Sequence, residues 1–281
     1  MEISIRHIAI HPHLRGLIEK IWILESAGRV PDRDLRLVVP NGMVKLIIPV
    51  KNEFIAQRNN FYKYSKSNQL TIVGINDIPF VVDTVEDLPF STIGIEFSPH
   101  AAYRFFNFNL RELKNSIFHS GEVFGNNNFE IESLIASTTL IEEKVLILQQ
   151  FLLALLNKSA EDKIFEYCIH TIKKNYGHIS VKNLERKTGY CARWINRKFE
   201  ERIGISPKTF CAIVKFQCVY QSVVNNPVEI FDEKLYYNTY YDQSHFIRHF
   251  KSITEETPKT LLPKIVQIGN EDLYWHFINE K

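Results

Sequence analysis

The spacing of hydrophobic positions changes near residue 98. Up to Phe97 the apolar residues fall in short runs rich in β-branched and aromatic side chains: Leu35–Val39, Val44–Ile48, Leu70–Val73, Phe80–Val82 and Ser91–Phe97. Pro40-Asn41-Gly42, Pro49, Gly74, Pro79 and Asp87-Leu88-Pro89 separate them. Short runs with turn residues between them predict the strands of a small antiparallel barrel or sandwich. His11–Leu24 reads as a helix running into a strand. After Ser98-Pro99-His100 the period becomes helical. Ala101–Phe106 starts a helix with Pro99 in its first turn, Asn109-Leu110 opens a second short one, and Phe129–Leu140 and Ile141–Leu156 carry helical spacing.

A polar gap, Asn157-Lys158-Ser159-Ala160-Glu161, marks a domain boundary. Beyond it the chain reads as nearly all helix. Lys163–Asn175 is amphipathic, and Ser180 is an N-cap for Val181–Lys187. Thr188-Gly189-Tyr190 is a tight turn before a helix from Cys191 to Arg202. Ser206-Pro207 opens a long helix that continues through Val224 and stops at Asn225-Asn226-Pro227. The expected architecture is α+β: a strand-rich domain with helices over residues 1–156, an all-α domain over 160–262, and an extension over 263–281.

The helical part repeats itself. Arg197-Lys198-Phe199 precedes Ser206-Pro207-Lys208-Thr209, and Arg248-His249-Phe250 precedes Thr257-Pro258-Lys259-Thr260, with every matched pair 51 positions apart. Ile195 and Phe246 keep the same offset. About fifty residues hold roughly three helices, the size of a helix-turn-helix unit. A helix that enters a DNA major groove needs an apolar inner face and an outer edge of basic and amide side chains. Both copies meet that need. Trp194, Ile195 and Phe199 can pack while Arg193, Asn196 and Arg197 form a polar stripe. Phe246, Ile247 and Phe250 can pack while Gln243, Ser244, His245 and Arg248 face outward.

Tyr241–Lys251 followed by Thr257-Pro258 resembles the second helix-turn-helix signature of the arabinose-operon-activator (AraC/XylS) family of bacterial transcription regulators. Leu184, Gly189-Tyr190, Phe199, Gly204 and Ser206-Pro207 resemble that family's first unit. The likeness covers about residues 160–262. It implies two units joined by a linker helix, two recognition helices in successive major grooves, and a regulator that reads specific sequences of double-stranded DNA. It places the base-reading positions at Ala192, Arg193, Asn196 and Arg197 in the first unit, and at Asp242, Gln243, Ser244, His245 and Arg248 in the second. Lys198, Lys208, Lys251 and Lys259 are candidates for phosphate neutralisation or for plain solvated surface. Three positions depart from the family's small residues: Glu185 in the first unit, and Leu235 and Thr239 in the second. Glu255 also stands where the second unit usually has glycine. The alternative reading is therefore a protein-interaction or non-specific architectural DNA-binding module with a degenerate second unit.

The remaining features adjust this picture. Net charge is +2 overall, but residues 160–262 hold 16 Lys and Arg against 12 Asp and Glu, which suits a polyanionic partner. Val39–Gly42, Leu46–Ile48 and Gly94–Pro99 resemble an uncharacterised domain found fused to this DNA-binding module in bacteria, which implies effector sensing or subunit pairing. Trp22, Phe54, Phe61, Tyr62, Tyr64 and Phe97 are candidate lining for an effector pocket or ordinary core. Ile141–Leu156 is apolar on nearly every side and must be covered by its own domain or by a second subunit, so a homodimer is expected. His7, His11 and His13 read as a solvated or locally bonded cluster, and no metal or cofactor is expected. The cysteines, Cys168, Cys191, Cys211 and Cys218, form no CxxC pair and read as reduced. No catalytic motif is present, so an enzyme is not expected. Without a membrane-length apolar stretch or a secretory signal pattern, a cytoplasmic location is expected. Tyr274, Trp275, Phe277 and Ile278 are too apolar for a free tail, and predict a docked short helix capped near Asn270 or a partner contact.

Overall fold

A computed structural model describes residues 3–28, 35–58, 61–106, 109–125, 128–156, 161–225, 240–261, 265–267 and 274–278. Two six-stranded antiparallel sheets form the strand-rich part. The first runs β1 (Ile3–His7), β2 (Ile18–Ser26), β9 (Ser91–Phe97), β4 (Lys45–Lys51), β7 (Thr71–Val73) and β10 (Ile117–His119). The second runs β11 (Ile265–Gln267), β12 (Tyr274–Ile278), β3 (Leu35–Val38), β8 (Phe80–Thr84), β5 (Phe54–Arg58) and β6 (Phe61–Ser65). Strand β9 is buried along its whole length between β2 and β4. Trp22 stands opposite Gly94 across the β2–β9 pair, and a Cβ on Gly94 would lie 2.1 Å from the indole. The missing side chain is therefore the space the tryptophan ring occupies.

The five strand runs read from the sequence all form strands. The stretch from His11 differs from the expected helix. Only Pro12–Leu14 makes a turn of 3-10 helix, and β2 begins at Ile18. Ile18, Ile21, Trp22, Ile23 and Leu24 mimic helical spacing but are a strand buried on both faces, a pattern that periodicity alone does not separate. The helix expected from Ala101 is likewise one 3-10 turn, Ala102–Arg104. A second turn, Leu110–Leu113, has Asn109 accepting the Arg111 amide as its cap.

Helices α1 (Ser120–Phe124), α2 (Asn128–Ser137) and α3 (Ile141–Leu156) close the strand-rich half. Helix α3 packs on its own domain through two polar side chains. The buried Lys144 donates to Asn68 Oδ1 at 3.0 Å and to the Ile135 carbonyl, and Gln149 Oε1 accepts the His11 amide at 2.6 Å. On the other side Leu146 stays 59% exposed, and Leu140 and Leu134 are exposed as well.

The helical half contains α4 (Lys163–Lys174), α5 (Val181–Thr188), α6 (Ala192–Ile203), α7 (Pro207–Asn225), α8 (Gln243–Thr254) and α9 (Pro258–Leu261). Ser180 and Ser206 cap α5 and α7 as the sequence predicts, accepting the Asn183 and Thr209 amides at 3.2 and 3.1 Å. One continuous core joins this half to the strands. Phe165 and Phe199 meet edge to face, Phe165 meets Tyr103 from the β9–α1 segment, and Phe199 meets Phe210. A second core gathers Phe216, Val219 and Tyr220 of α7 with Phe246, Phe250 and Ile253 of α8. The two ends of α7 thus serve two different cores. No helix among the described residues is long and apolar enough to cross a membrane.

The extension is not helical where it is described. β11 and β12 are strands, and β12 pairs with β3 through His276–Leu37, Phe277–Arg36 and Ile278–Leu35. A short aromatic and β-branched run favours an open sheet edge over a helix. Asn270 lies outside the described residues, as do Leu235 and Thr239.

Candidate nucleic-acid interface

Helix α6 buries Ile195, Phe199 and Ile203, spaced i, i+4, i+8 along one stripe. That stripe fixes the rotation of the helix and turns Arg193 and Arg197 to solvent, with Ala192 and Asn196 partly exposed between them. Arg193 has no hydrogen-bond or ion-pair partner among the described residues. Arg197 makes a single loose pair with Glu201 at 3.7 Å, the kind of surface pair that contributes little and is easily exchanged. Asn196 Nδ2 donates to the Ala192 carbonyl at 2.8 Å. Lys198 is engaged internally: its ammonium lies 3.7 Å from Asp162 and 3.6 Å from Glu201, over the Trp194 ring.

The turn before α6 explains Glu185. Gly189 ends α5 at φ +76°, a left-handed position, and Tyr190 stacks on Trp194 with ring centres 4.2 Å apart. Cys191, at the N-cap of α6, supplies no side-chain hydrogen bond. Glu185 Oε1 accepts the Ala192 amide instead. The larger residue at this position is a cap reached from the preceding helix, and it puts a carboxylate at a helix N-terminus, where negative charge is favoured.

The second unit repeats the arrangement with an aromatic core. Phe246 and Phe250 are buried, while Gln243, Ser244, His245, Arg248 and Lys251 are exposed along the opposite edge of α8. Asp242 caps α8 by accepting the His245 amide at 2.7 Å. Equivalent caps open the next helices: Ser206 and Thr209 hydroxyls meet at 2.8 Å, Thr257 and Thr260 hydroxyls at 3.0 Å. Lys208 and Lys259 follow these caps and are exposed. The 51-residue offset also relates Gly204 at φ +86° to Glu255 at φ +64°, both left-handed helix ends.

Tyr240 and His249 lock the base of α8. The phenol oxygen lies 2.6 Å from His249 Nδ1, and burial, with Lys215 and His245 nearby, depresses the imidazole to about 4. Folded protein therefore refuses a proton that the unfolded chain accepts from about pH 6.5 downward. This contribution is complete above pH 6.5 and declines as pH falls toward 4. Allowing for partial solvent exposure, we expect about 1 kcal/mol of lost stability from this site between pH 7.5 and 5.5. Urea unfolding at the two pH values checks it, and H249N should flatten the dependence by that amount.

A cavity of about 580 Å³ lies between the two sheets and reaches α7. Trp22, Phe54, Ile47 and Val82 line its sheet side, and Phe210, Val214 and Gln217 its helix side. The buried Trp22 Nε1 has no hydrogen-bond partner among the described residues. Two of the six aromatics proposed as lining are in the cavity. Phe97 is core against Phe105 and Phe106, Tyr62 and Tyr64 are exposed, and the Phe61 side chain lies outside the described residues. The Val39–Gly42 segment touches the linker helix: Gln217 Nε2 donates to the Pro40 carbonyl at 2.5 Å, and Phe210 sits against Gly42. Sequence reasoning missed this link between the halves, because the two partners are 177 residues apart.

The histidines near the N-terminus are locally bonded. His11 Nδ1 accepts the His13 amide at 3.3 Å, with the two rings 5.5 Å apart. Burial pushes the Cys168 and Cys211 thiols up to about 11, which disfavours thiolate.

A family described as a domain of unknown function (DUF6597) matches residues 6–119. No curated protein matches the chain. Among solved structures, ToxT from Vibrio cholerae is similar at 13% identity, over 85% of this chain and 97% of that one, with a TM-score of 0.49. A structure of unsaturated fatty acid bound ToxT from the same organism aligns at 14% identity, 85% and 94% coverage and a TM-score of 0.44. A cupin domain of an XRE family transcriptional regulator from Enterobacter cloacae aligns at 10% identity over 35% of this chain and 99% of that one, with a TM-score of 0.28. The chain itself has the order of a strand-rich first half followed by a helical second half.

Proposed function

We propose that this protein is a transcription regulator that binds specific sequences of double-stranded DNA through α6 and α8. One observation carries the reading. Two helices related by a 51-residue offset bury equivalent positions, Ile195 with Phe246 and Phe199 with Phe250, and leave Arg197 and Arg248 exposed on the opposite edge. Ala192, Arg193, Asn196 and Arg197 supply the first reading edge. Gln243, Ser244, His245 and Arg248 supply the second, with Asp242 holding its N-terminus. Lys208, Lys251 and Lys259 neutralise phosphates, and Lys198 braces α6 through Asp162. The domains act as a sensor and pairing unit over 1–156, a DNA-binding unit over 160–262 and a tethering extension over 263–281.

The cavity is the effector site in this reading. Its occupant is a mostly apolar small molecule, matched to the aromatic and aliphatic side chains of the wall. Contact with Phe210, Val214 and Gln217 lets such a ligand bias α7, which connects the two units. The exposed Leu134, Leu140 and Leu146 of α2, α3 and the turn between them form the pairing surface of a homodimer.

The test is affinity for duplex selected from a random pool against unselected duplex, measured at several salt concentrations. A regulator of this kind should prefer the selected duplex by at least about a thousandfold and lose affinity steeply with salt. A preference under about tenfold with retained salt dependence would indicate an architectural binder. Affinity that is absent, or indifferent to salt, would indicate a protein-interaction module.

A further inference from the structure

Three ligand-capable side chains converge where the strand-rich half meets α4. His100 stands at the corner after β9, and Glu166 and His170 stand one turn apart on α4. Spacing of i, i+4 puts the last two on one helix face. His100 Nε2 lies 3.7 Å and His170 Nε2 3.6 Å from the same atom, Glu166 Oε1. All three donor atoms fall within 4.8 Å of one another, and the imidazole rings are 4.9 Å apart. In a tetrahedral zinc site with bonds of about 2.0–2.2 Å, neighbouring donor atoms are about 3.3–3.5 Å apart. Closing the observed triangle around an ion needs little more than rotamer adjustment. The half that must move is free to do so: the His170 side chain is 60% exposed and Glu166 39%, while His100 at 14% is held in place.

The donor set decides the ion. Two imidazoles and one carboxylate suit Zn²⁺ and its borderline neighbours Co²⁺, Ni²⁺ and Cu²⁺, whereas Ca²⁺ and Mg²⁺ want oxygen ligands throughout. Three protein ligands leave a fourth position for water. Lys173, whose charge acts on His100, is paired with Glu19 at 3.5 Å. We propose that His100, Glu166 and His170 form a site for a zinc-class divalent ion that ties the β9 corner to the first helix of the helical half. Because one ligand comes from one half and two from the other, the ion clamps the two halves together. This site does not depend on the DNA-binding reading.

Zinc is titrated by calorimetry into the full-length chain after EDTA treatment and dialysis, with thermal unfolding followed with and without zinc. The expected result is one ion per chain with a Kd of about 10 μM or tighter, and a rise in Tm at saturating zinc. Both should be lost in H170A and E166Q, whose side chains are solvent-accessible and whose metal-free Tm should match the parent. H13A, in the other histidine group, should bind as the parent does, and Mg²⁺ should produce no shift. Parent protein that binds zinc no tighter than about 1 mM, binding that survives in both H170A and E166Q, or binding that disappears in H13A would each overturn the assignment.

Discussion

Replacing Arg193 with alanine is expected to lower affinity for a selected duplex by roughly 5- to 150-fold while leaving affinity for random duplex nearly unchanged. The size follows from the 1–3 kcal/mol that a well-placed base contact contributes to discrimination. The selectivity follows from where the side chain sits. Arg193 lies in the first turn of α6, exposed and unpaired among the described residues, so its loss perturbs no packing. Lys198 is the contrast. Its ammonium is held by Asp162 and Glu201, so K198A should cost stability more than affinity. Electrophoretic or fluorescence titration of R193A against the selected and random pools checks the first claim. Equal losses on both pools would remove Arg193 from the reading edge and assign it to phosphate contact.

Gly204→Ala is expected to destabilise the protein by about 2–4 kcal/mol, from two causes that act together. The backbone at Gly204 is left-handed at φ +86°, which costs an alanine roughly 1 kcal/mol. An added Cβ would also stand 2.6 Å from the Leu110 carbonyl oxygen and 3.1 Å from Ile75, both in the strand-rich half. Relieving that overlap means moving backbone, at about 1–3 kcal/mol. Glu255, its counterpart in the second unit, isolates the first cause. It sits at φ +64° and is exposed, so E255G should stabilise by about 1 kcal/mol. Urea unfolding of the two variants separates the terms. A G204A loss no larger in size than the E255G gain would mean that the contact with Leu110 yields without cost.

What the sequence disclosed was what short-range physics controls. Caps at Ser180, Ser206 and Thr257 and the buried stripe of α6 were legible, because each involves residues within a turn or two of one another. Strands β1, β5, β6 and β10 were missed. Phe54–Arg58 and Phe61–Ser65 pair across residues 59–60, and Asn59-Asn60 was the available hairpin signal. The outer edge of α6 was readable from spacing, whereas the cavity was not. Its walls come from two sheets and α7, and only pairing register brings Trp22 toward Phe210 and Gln217. Glu185 read as a departure from the family's small residue, and it serves as the cap of α6. The histidine and glutamate triad was equally hidden, since His100 and Glu166 meet only because the chain folds its halves together.

The pairing of β12 with β3 adds a chain tether to the continuous core that already joins the helical half to the strands. The chain leaves the strand-rich body after α3 and returns to its outer sheet at Tyr274–Ile278. In the proposed reading, a signal from the sandwich then reaches α6 and α8 through the shared core, and cutting the chain near residue 270 removes the added tether while that core stays in place.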